Sequence, residues 1–282
     1  MASFQNNGKL KQLIIIGMRL EIIHLVAVNK KPCKYSDTIL VHADQNYDYN
    51  LNGVFFHNLE LADPEVYMDA VGDTLGQTMG NTNAKSHDLI AEHQPDAMIV
   101  QSDTNSCLSI ISSKRLYTLI FHMEVSNRCK DECLLEETNR RIMAIISHVN
   151  LCYSEYVQRC LADCGLPKER SNVIGSPMAE VLLENLAKIE ASGIHTRLGL
   201  EKSKYILLSV YREENIDTEK NLASLFTAVE MNQNSEDGIP VPDYVEESVS
   251  TKDVKNIQSY TCVIIKMGGG MAEVLQYVTE EC

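Results

Sequence analysis

The run Leu10-Lys11-Gln12-Leu13-Ile14-Ile15-Ile16-Gly17-Met18-Arg19-Leu20-Glu21 decides how the chain folds. Leu10–Ile16 has the apolar density of a strand buried on both faces. Gly17–Glu21 is a tight loop, and a helix is expected from there through about Val28. The same unit then recurs. Thr38–His42 reads as a strand and Asn50–Leu59 as a short helix. A long helix over about Asp73–His93 ends before Pro95, because proline disfavours helix in the residue that precedes it. Ala97–Gln101 is a buried-type strand followed by a helical stretch over about 105–115, and Thr118–Met123 is another strand. Glu136–His148 is helical, Val149–Tyr153 extended, and Tyr156–Cys164 helical up to the stop signal Gly165.

Strand followed by helix, repeated without hairpin dipeptides, predicts a parallel sheet covered on both faces. The fold class is α/β, a Rossmann-like doubly wound parallel sheet over residues 1–170. A second region, 171–238, offers a short strand before Gly175, a helix over Pro177–Glu190, a convincing strand at Tyr205–Tyr211 and a helix near Thr218–Met231. Beyond it the pattern decays through the polar Asn232–Gly238 and two prolines in Ile239–Asp243, with a helical pattern at Val254–Tyr260. One firm strand plus helices cannot bury an α/β core of normal size, so this second domain is expected to be incomplete.

At about 150 residues per domain, 282 residues fit two compact domains or one large one. A 44% hydrophobic and 23% charged composition is globular. With 25 Lys and Arg against 39 Asp and Glu the net charge is −14. Such a surface disfavours nucleic acid and anionic membranes, which need a basic face, but not a phosphorylated small molecule held by a few arginines. The apolar run Leu13–Met18 is cut by Arg19, too short for a membrane span and poor as a signal-peptide core. A cytoplasmic protein is expected. Nine cysteines without a C-x-x-C pair speak against a zinc knuckle or disulfide framework. Cys129 and Cys133 share an x3 spacing, as do Cys160 and Cys164; the latter pair reads as buried free thiols on one helix face. No metal site is expected. Gly268-Gly269-Gly270 lacks the lysine and serine of a phosphate loop and reads as a turn.

Ligands of an open parallel sheet bind beyond the carboxyl ends of its strands. Reading past each strand gives Arg19, Asp103 and Glu124, with Arg128 four residues after Glu124. Glu136 and Glu137 open the next helix, with Arg140 and Arg141 one turn on. Three carboxylates and two or three arginines are thus expected around one cleft. Asp103 is equally suited to cap the helix after it, and Glu136 and Glu137 to meet a helix dipole. Glu124 is costly at the end of an apolar strand unless it has a use. His122 reads as a satisfied core histidine, and Tyr47 and Tyr49, beside Phe55 and Phe56, as packing.

Gly17-Met18-Arg19-Leu20-Glu21 resembles the Gly-Thr-Arg-Pro-Glu opening of the UDP-N-acetylglucosamine 2-epimerase family. Gln45-Asn46-Tyr47-Asp48-Tyr49-Asn50-Leu51-Asn52, Ser102-Asp103-Thr104-Asn105-Ser106, Phe121-His122-Met123-Glu124 and Glu136-Glu137-Thr138-Asn139-Arg140-Arg141 follow in the family's order. Ser176-Pro177-Met178 and Arg212-Glu213-Glu214-Asn215 continue it. The Asn-Tyr-Asp-Tyr segment is most similar to the branch acting on UDP-linked 6-deoxy-N-acetylhexosamines in surface-polysaccharide synthesis. The resemblance implies a two-domain glycosyltransferase-B-like architecture with the nucleotide sugar, or UDP, in the cleft, and no cofactor. It implies C2 epimerisation by elimination of UDP across C1–C2 and its re-addition. Asp103, Glu124 and Glu136 match the catalytic acids, and Arg19 a diphosphate-binding arginine. Gln45, Arg128, Arg140 and Arg212 are expected on the substrate.

The departures all point toward a weakened site. Family threonine and proline are Met18 and Leu20, a polar residue one turn on is His24, and the glycine before Asp103 is Ser102. Val125-Ser126 replaces Ala-Gly, Leu135 a proline, and Tyr211 a histidine that binds UDP. Most of the family's C-terminal domain is missing between Met231 and Ile239, while Pro242–Thr261, within the tail 239–282, resembles the closing helix that returns to the first domain. Impaired turnover is therefore expected. The alternatives are an inactive remnant that acts as a binding or dimerisation partner of an intact epimerase, and a glycosyltransferase of the same architecture; a homodimer, or a heterodimer with an intact homologue, is the expected assembly.

Overall fold

The computed structural model describes residues 9–30, 36–43, 52–124, 135–201, 204–205, 219–220 and 223–224. The chain divides into two units, one holding the residues up to Glu184 and another beginning at Asn185.

In the first unit β1 (Leu10–Ile16) leads into α1 (Arg19–Lys30), then β2 (Ser36–His42), α2 (Gly53–Asn58), β3 (Val66–Tyr67) and the long α3 (Leu75–His93). β4 (Ala97–Gln101) is followed by a 3-10 turn over Asn105–Ser109 and α4 (Ile110–Arg115). β5 (Leu119–Met123), α5 (Leu135–Ile146), β6 (Val149–Cys152), α6 (Glu155–Asp163), β7 (Ser171–Val173) and α7 (Met178–Glu184) complete it. The seven strands form one sheet in the order β3-β2-β1-β4-β5-β6-β7, and every pairing is parallel. The first six strands stand in the doubly wound order, as the alternation of strand and helix predicts. Register runs Leu13↔Met98 between β1 and β4 and Phe121↔Ile99 between β5 and β4.

Two differences from the sequence reading have local causes. The strand expected to open the second region, β7, is hydrogen-bonded to β6 with Cys152↔Val173 in register; a three-residue segment is stable only as an edge added to an existing sheet. The helix expected over Pro177–Glu190 is broken at Asn185 into α7 and α8 (Leu186–Glu190), where the chain passes to the second unit. The second unit also holds α9 (Ile194–Leu198). The expected strand Tyr205–Tyr211, the helix at Val254–Tyr260 and the triple glycine lie outside the described residues, apart from Tyr205 itself.

Helix ends follow the punctuation. Thr74 and Gln77 form a capping box at the start of α3. Gly165, at φ 83°, closes α6: its N–H donates to Ala162 at 2.9 Å and the Leu166 N–H to Leu161 at 3.1 Å. Those two bonds are the Schellman pattern, which needs a left-handed residue and therefore favours glycine. The cysteine pair behaves differently from its reading: Cys160 is half-buried and Cys164, past the helix end, is exposed. All four described cysteines are free.

Both faces of the sheet are covered. Ile14, Ile16, Leu40, Ile99 and Phe121 pack with Ile22 and Leu25 of α1 and Phe56 of α2. Leu13, Ile15, Val41, Met98 and Ile120 point the other way, onto Ile90, Ile110 and Met143 of α3, α4 and α5. Successive residues of β1 thus enter opposite layers, the reason the strand shows no polar alternation. Phe121, on a central strand, is fully buried. Phe121→Ala is expected to lower stability by about 3–5 kcal/mol, read as an earlier urea midpoint at unchanged slope.

Candidate active site

Burial on both faces leaves the strand ends as the place for polar groups. Gly17 and Met18 follow β1, with Arg19 the exposed first residue of α1. Gln101 ends β4, and Ser102, Asp103 and Thr104 follow it. Met123 ends β5, paired with Gln101, and Glu124 comes next. Because β1, β4 and β5 are neighbours, Arg19, Asp103 and Glu124 emerge side by side at one edge.

Asp103 does not cap the turn behind it. Its Oδ2 accepts from Nε of Arg140 at 3.0 Å and from a second nitrogen of the same guanidinium. Its Oδ1 accepts from the Ser102 hydroxyl at 3.1 Å. The third guanidinium nitrogen donates to Oε2 of Glu137 at 2.9 Å, and Arg141 donates to the other oxygen of Glu137 at 3.0 Å. Glu137 is 2% exposed, so a residue that would suit a helix dipole instead anchors a largely buried network. Asn139 adds a bond to the Asp103 carbonyl at 3.0 Å and one to Asn105 at 3.2 Å. Helix α5 is thereby fastened to the loop after β4.

Glu124 is about one-fifth exposed, and its Oε2 lies 3.4 Å from Nδ1 of the buried His24. The His24 ring stands edge-on to Tyr153, at the end of β6. Both residues that shape the strand tips have left-handed backbones: Ser102 at φ 69° and Glu124 at φ 58°. His122, fully buried on β5, donates from Nε2 to the Ser102 carbonyl at 2.8 Å. Burial pushes this imidazole down to about 4, so it is neutral. It is a core histidine, as its position in the strand suggests, and one that also secures the strained turn before Asp103.

Glu21 is hidden completely. Its Oε2 accepts from the Gly17 and Met18 N–H groups, the latter at 3.1 Å, and its Oε1 accepts from the Thr104 hydroxyl at 2.6 Å. Burial pushes its carboxyl up to about 7.

Of the expected site residues, the structure brings together Asp103, Glu124 and Arg140 around His122, while Arg19 is exposed at the start of α1 on the neighbouring strand's edge. Glu136 opens α5 with an exposed side chain. Gln45, Arg128 and Arg212 lie outside the described residues, as do Tyr47, Tyr49, Cys129 and Cys133. Sequence reasoning passed over Glu21, Thr104 and Asn139. The Glu137-x-x-Arg140-Arg141 spacing, i to i+3 and i+4, was a usable signal for the first network; Thr104 carried none. Among the described residues no group of three or more His, Cys, Asp or Glu side chains could hold a metal ion, and no helix is long and apolar enough to cross a membrane.

The model of the UDP-N-acetylglucosamine 2-epimerase family matches residues 30–267. A UDP-N-acetylglucosamine 2-epimerase homolog of Methanococcus maripaludis is 30% identical over 228 residues, which is 79% of this chain and 64% of that protein. Among solved structures, UDP-N-acetylglucosamine 2-epimerase from Rickettsia bellii matches with a TM-score of 0.72 and 38% identity, over 79% of this chain and 58% of that one. The Methanocaldococcus jannaschii UDP-GlcNAc 2-epimerase, in complex with UDP-GlcNAc and UDP, matches with a TM-score of 0.71 and 25% identity, over 89% and 70%. The chain thus spans under two-thirds of the curated relative's length.

Two outcomes follow from the site. An acid whose folded value is raised favours the folded state fully below its ordinary 4.5, and that stabilisation is lost as pH rises through about 7. His122 and His148, both pushed down to about 4 by burial, slope the other way between 4 and 6.5, so the difference between variants is the readout. The stability of the wild type relative to Glu21→Gln should fall by about 3 kcal/mol between pH 4.5 and 7, measured by urea titration at several pH values. At Ser102, the glycine variant should exceed the alanine variant in stability by about 1 kcal/mol, since both lose the hydroxyl and only alanine keeps the left-handed strain.

Proposed function

The chain belongs to the UDP-N-acetylglucosamine 2-epimerase family, and from that premise we propose that it handles a UDP-N-acetylhexosamine at C2. The observation that carries this reading is the pair of carboxylates at neighbouring strand tips, Asp103 saturated by Arg140 and Ser102, and Glu124 beside one histidine.

The C2 hydrogen of such a sugar is not acidified by a carbonyl, so direct exchange is slow. Elimination avoids this. A carboxylate takes the C2 proton, the C2–H electron pair becomes the C1=C2 bond, and the C1–O pair leaves with UDP. Re-addition returns a proton to the opposite face of C2 while the diphosphate oxygen attacks C1. Glu124 suits the proton transfer, because one oxygen has no hydrogen-bond donor among the described residues and its side chain reaches the surface. Asp103, with both oxygens engaged, suits a fixed negative charge that orients Arg140. Glu136, exposed at the head of α5, suits the second face, and Arg19 the departing diphosphate. The chain's own residues suffice for these roles without a cofactor.

The same reading extends to organisation. Residues 171–238 form a shortened second domain and 239–282 a tail whose helix returns to the first, and the protein works in the cytoplasm as a homodimer or beside an intact homologue. Gln45, Arg128 and Arg212 complete the substrate contacts. Since most of the family's second domain is missing between Met231 and Ile239, the diphosphate contacts of that segment are lost, and each charge-assisted one costs about 1.5–3 kcal/mol. Turnover is correspondingly slow.

Incubation with UDP-N-acetylglucosamine or its 6-deoxy relatives in deuterated water should place deuterium at C2 and release some UDP, and Glu124→Gln should abolish both. No exchange together with co-purification of an intact relative would establish the inactive remnant instead. Sugar transfer to an added acceptor would establish a glycosyltransferase.

A further inference from the structure

The N–H groups of a loop between the first strand and first helix of a doubly wound sheet are the usual seat for a phosphate. Here they are already occupied. Gly17 and Met18 both donate to Oε2 of Glu21, which reaches back from the first turn of the twelve-residue helix α1. The other oxygen, Oε1, takes the Thr104 hydroxyl across a separation of 83 residues. Glu21 is 0% exposed, so neither water nor ligand reaches the carboxyl without the loop opening. The groups facing it from the β4 side are Thr104, Asp103 and Cys107, none of them a cation. A hidden carboxyl without a cationic partner is expensive, and three hydrogen bonds from two separate loops are what retain it.

We infer that Glu21 is the positioning residue of this site: it fills the anion seat of the first loop from within and, through Thr104, ties the loop bearing Arg19 to the loop bearing Asp103. The inference rests on the functional reading above in so far as Arg19 and Asp103 serve the same ligand. Its chemical consequence is specific. A nucleoside diphosphate cannot be cradled by the backbone of this loop, as a dinucleotide is in the usual doubly wound fold, and must be met by the Arg19 side chain. Glu21 thus selects against backbone-bound pyrophosphate and fixes where the arginine starts.

The test uses the full chain with UDP as probe. Glu21→Gln keeps the shape, and Thr104→Val removes one hydroxyl from a half-buried isostere. Calorimetry should find UDP binding weakened about three- to tenfold in each single variant, the worth of an ordinary hydrogen bond. The double variant should be no weaker than the worse single one, because both changes cut the same tie. A purely structural residue would lower the melting temperature and leave the affinity of the folded protein unchanged; that result, or full additivity, overturns the inference. Should the wild type bind no UDP, the functional reading fails separately. The tie is then decided by amide NMR: shifted Gly17 and Met18 signals in both variants support it, and unmoved signals in Thr104→Val overturn it.

Discussion

The placement of β1 beside β4 is the constraint from which the site follows. From this pair the strand order runs outward in two directions, through β2 and β3 on one side and β5 to β7 on the other. A crevice is therefore left beyond the carboxyl ends of β1 and β4. Helices cover both faces with apolar layers, so a polar side chain has low-cost space only at the strand ends. The residues at that rim are Arg19, Ser102, Asp103, Thr104 and Glu124, each within three residues of a strand's end.

A rim formed this way must be held open by bonds rather than by packing. Ser102 and Glu124 both turn through left-handed backbone conformations, which cost side-chain-bearing residues of order 1–2 kcal/mol each. The offsets are visible around Ser102: its carbonyl takes the His122 ring, its N–H reaches the Met123 carbonyl at 3.3 Å, and its hydroxyl reaches Asp103. Arg140 then closes the loop from α5. Breaking such a partly buried ion pair by removing one partner is far more damaging than its net worth suggests, because a desolvated charge is left behind. Strain, neutral histidine and ion network form one device that aims two carboxylates.

Most of the fold was legible because its signals are local. Leu10–Ile16 and Ala97–Gln101 match their strands residue for residue, Gly165 stops α6, and Pro95 ends α3. Short edge elements carry less signal: β3, with two residues, was not expected, and β7, with three, was expected as a strand before Gly175 but not as an edge of the first sheet. Within the site, Asp103, Glu124 and Arg140 could be found by reading past strands. Glu21 could not, since an acid in a first helical turn ordinarily faces solvent; only the fold brings Thr104 across to it. Glu137 was seen in the sequence with the wrong partner in view, the helix dipole rather than two arginines.

The charge ledger of the rim bears directly on chemistry. Of Arg19, Arg140 and Arg141, only Arg19 is without a carboxylate partner among the described residues. Asp103, Glu124 and Glu137 set three negative charges against them. On the proposed reading Glu124 is the carboxylate placed to exchange a proton with carbon, since among the described residues it alone of the three has no arginine on it. With Arg140 and Arg141 committed to Asp103 and Glu137, Arg19 is the one of these arginines left for a diphosphate, whose departure in the proposed reaction needs positive charge. Proton removal and leaving-group departure are a single electron flow in an elimination, so a site strong in one and weak in the other is limited by the weaker. If the proposed elimination runs at this rim, cation supply to the diphosphate, and not the placement of the base, is what limits it.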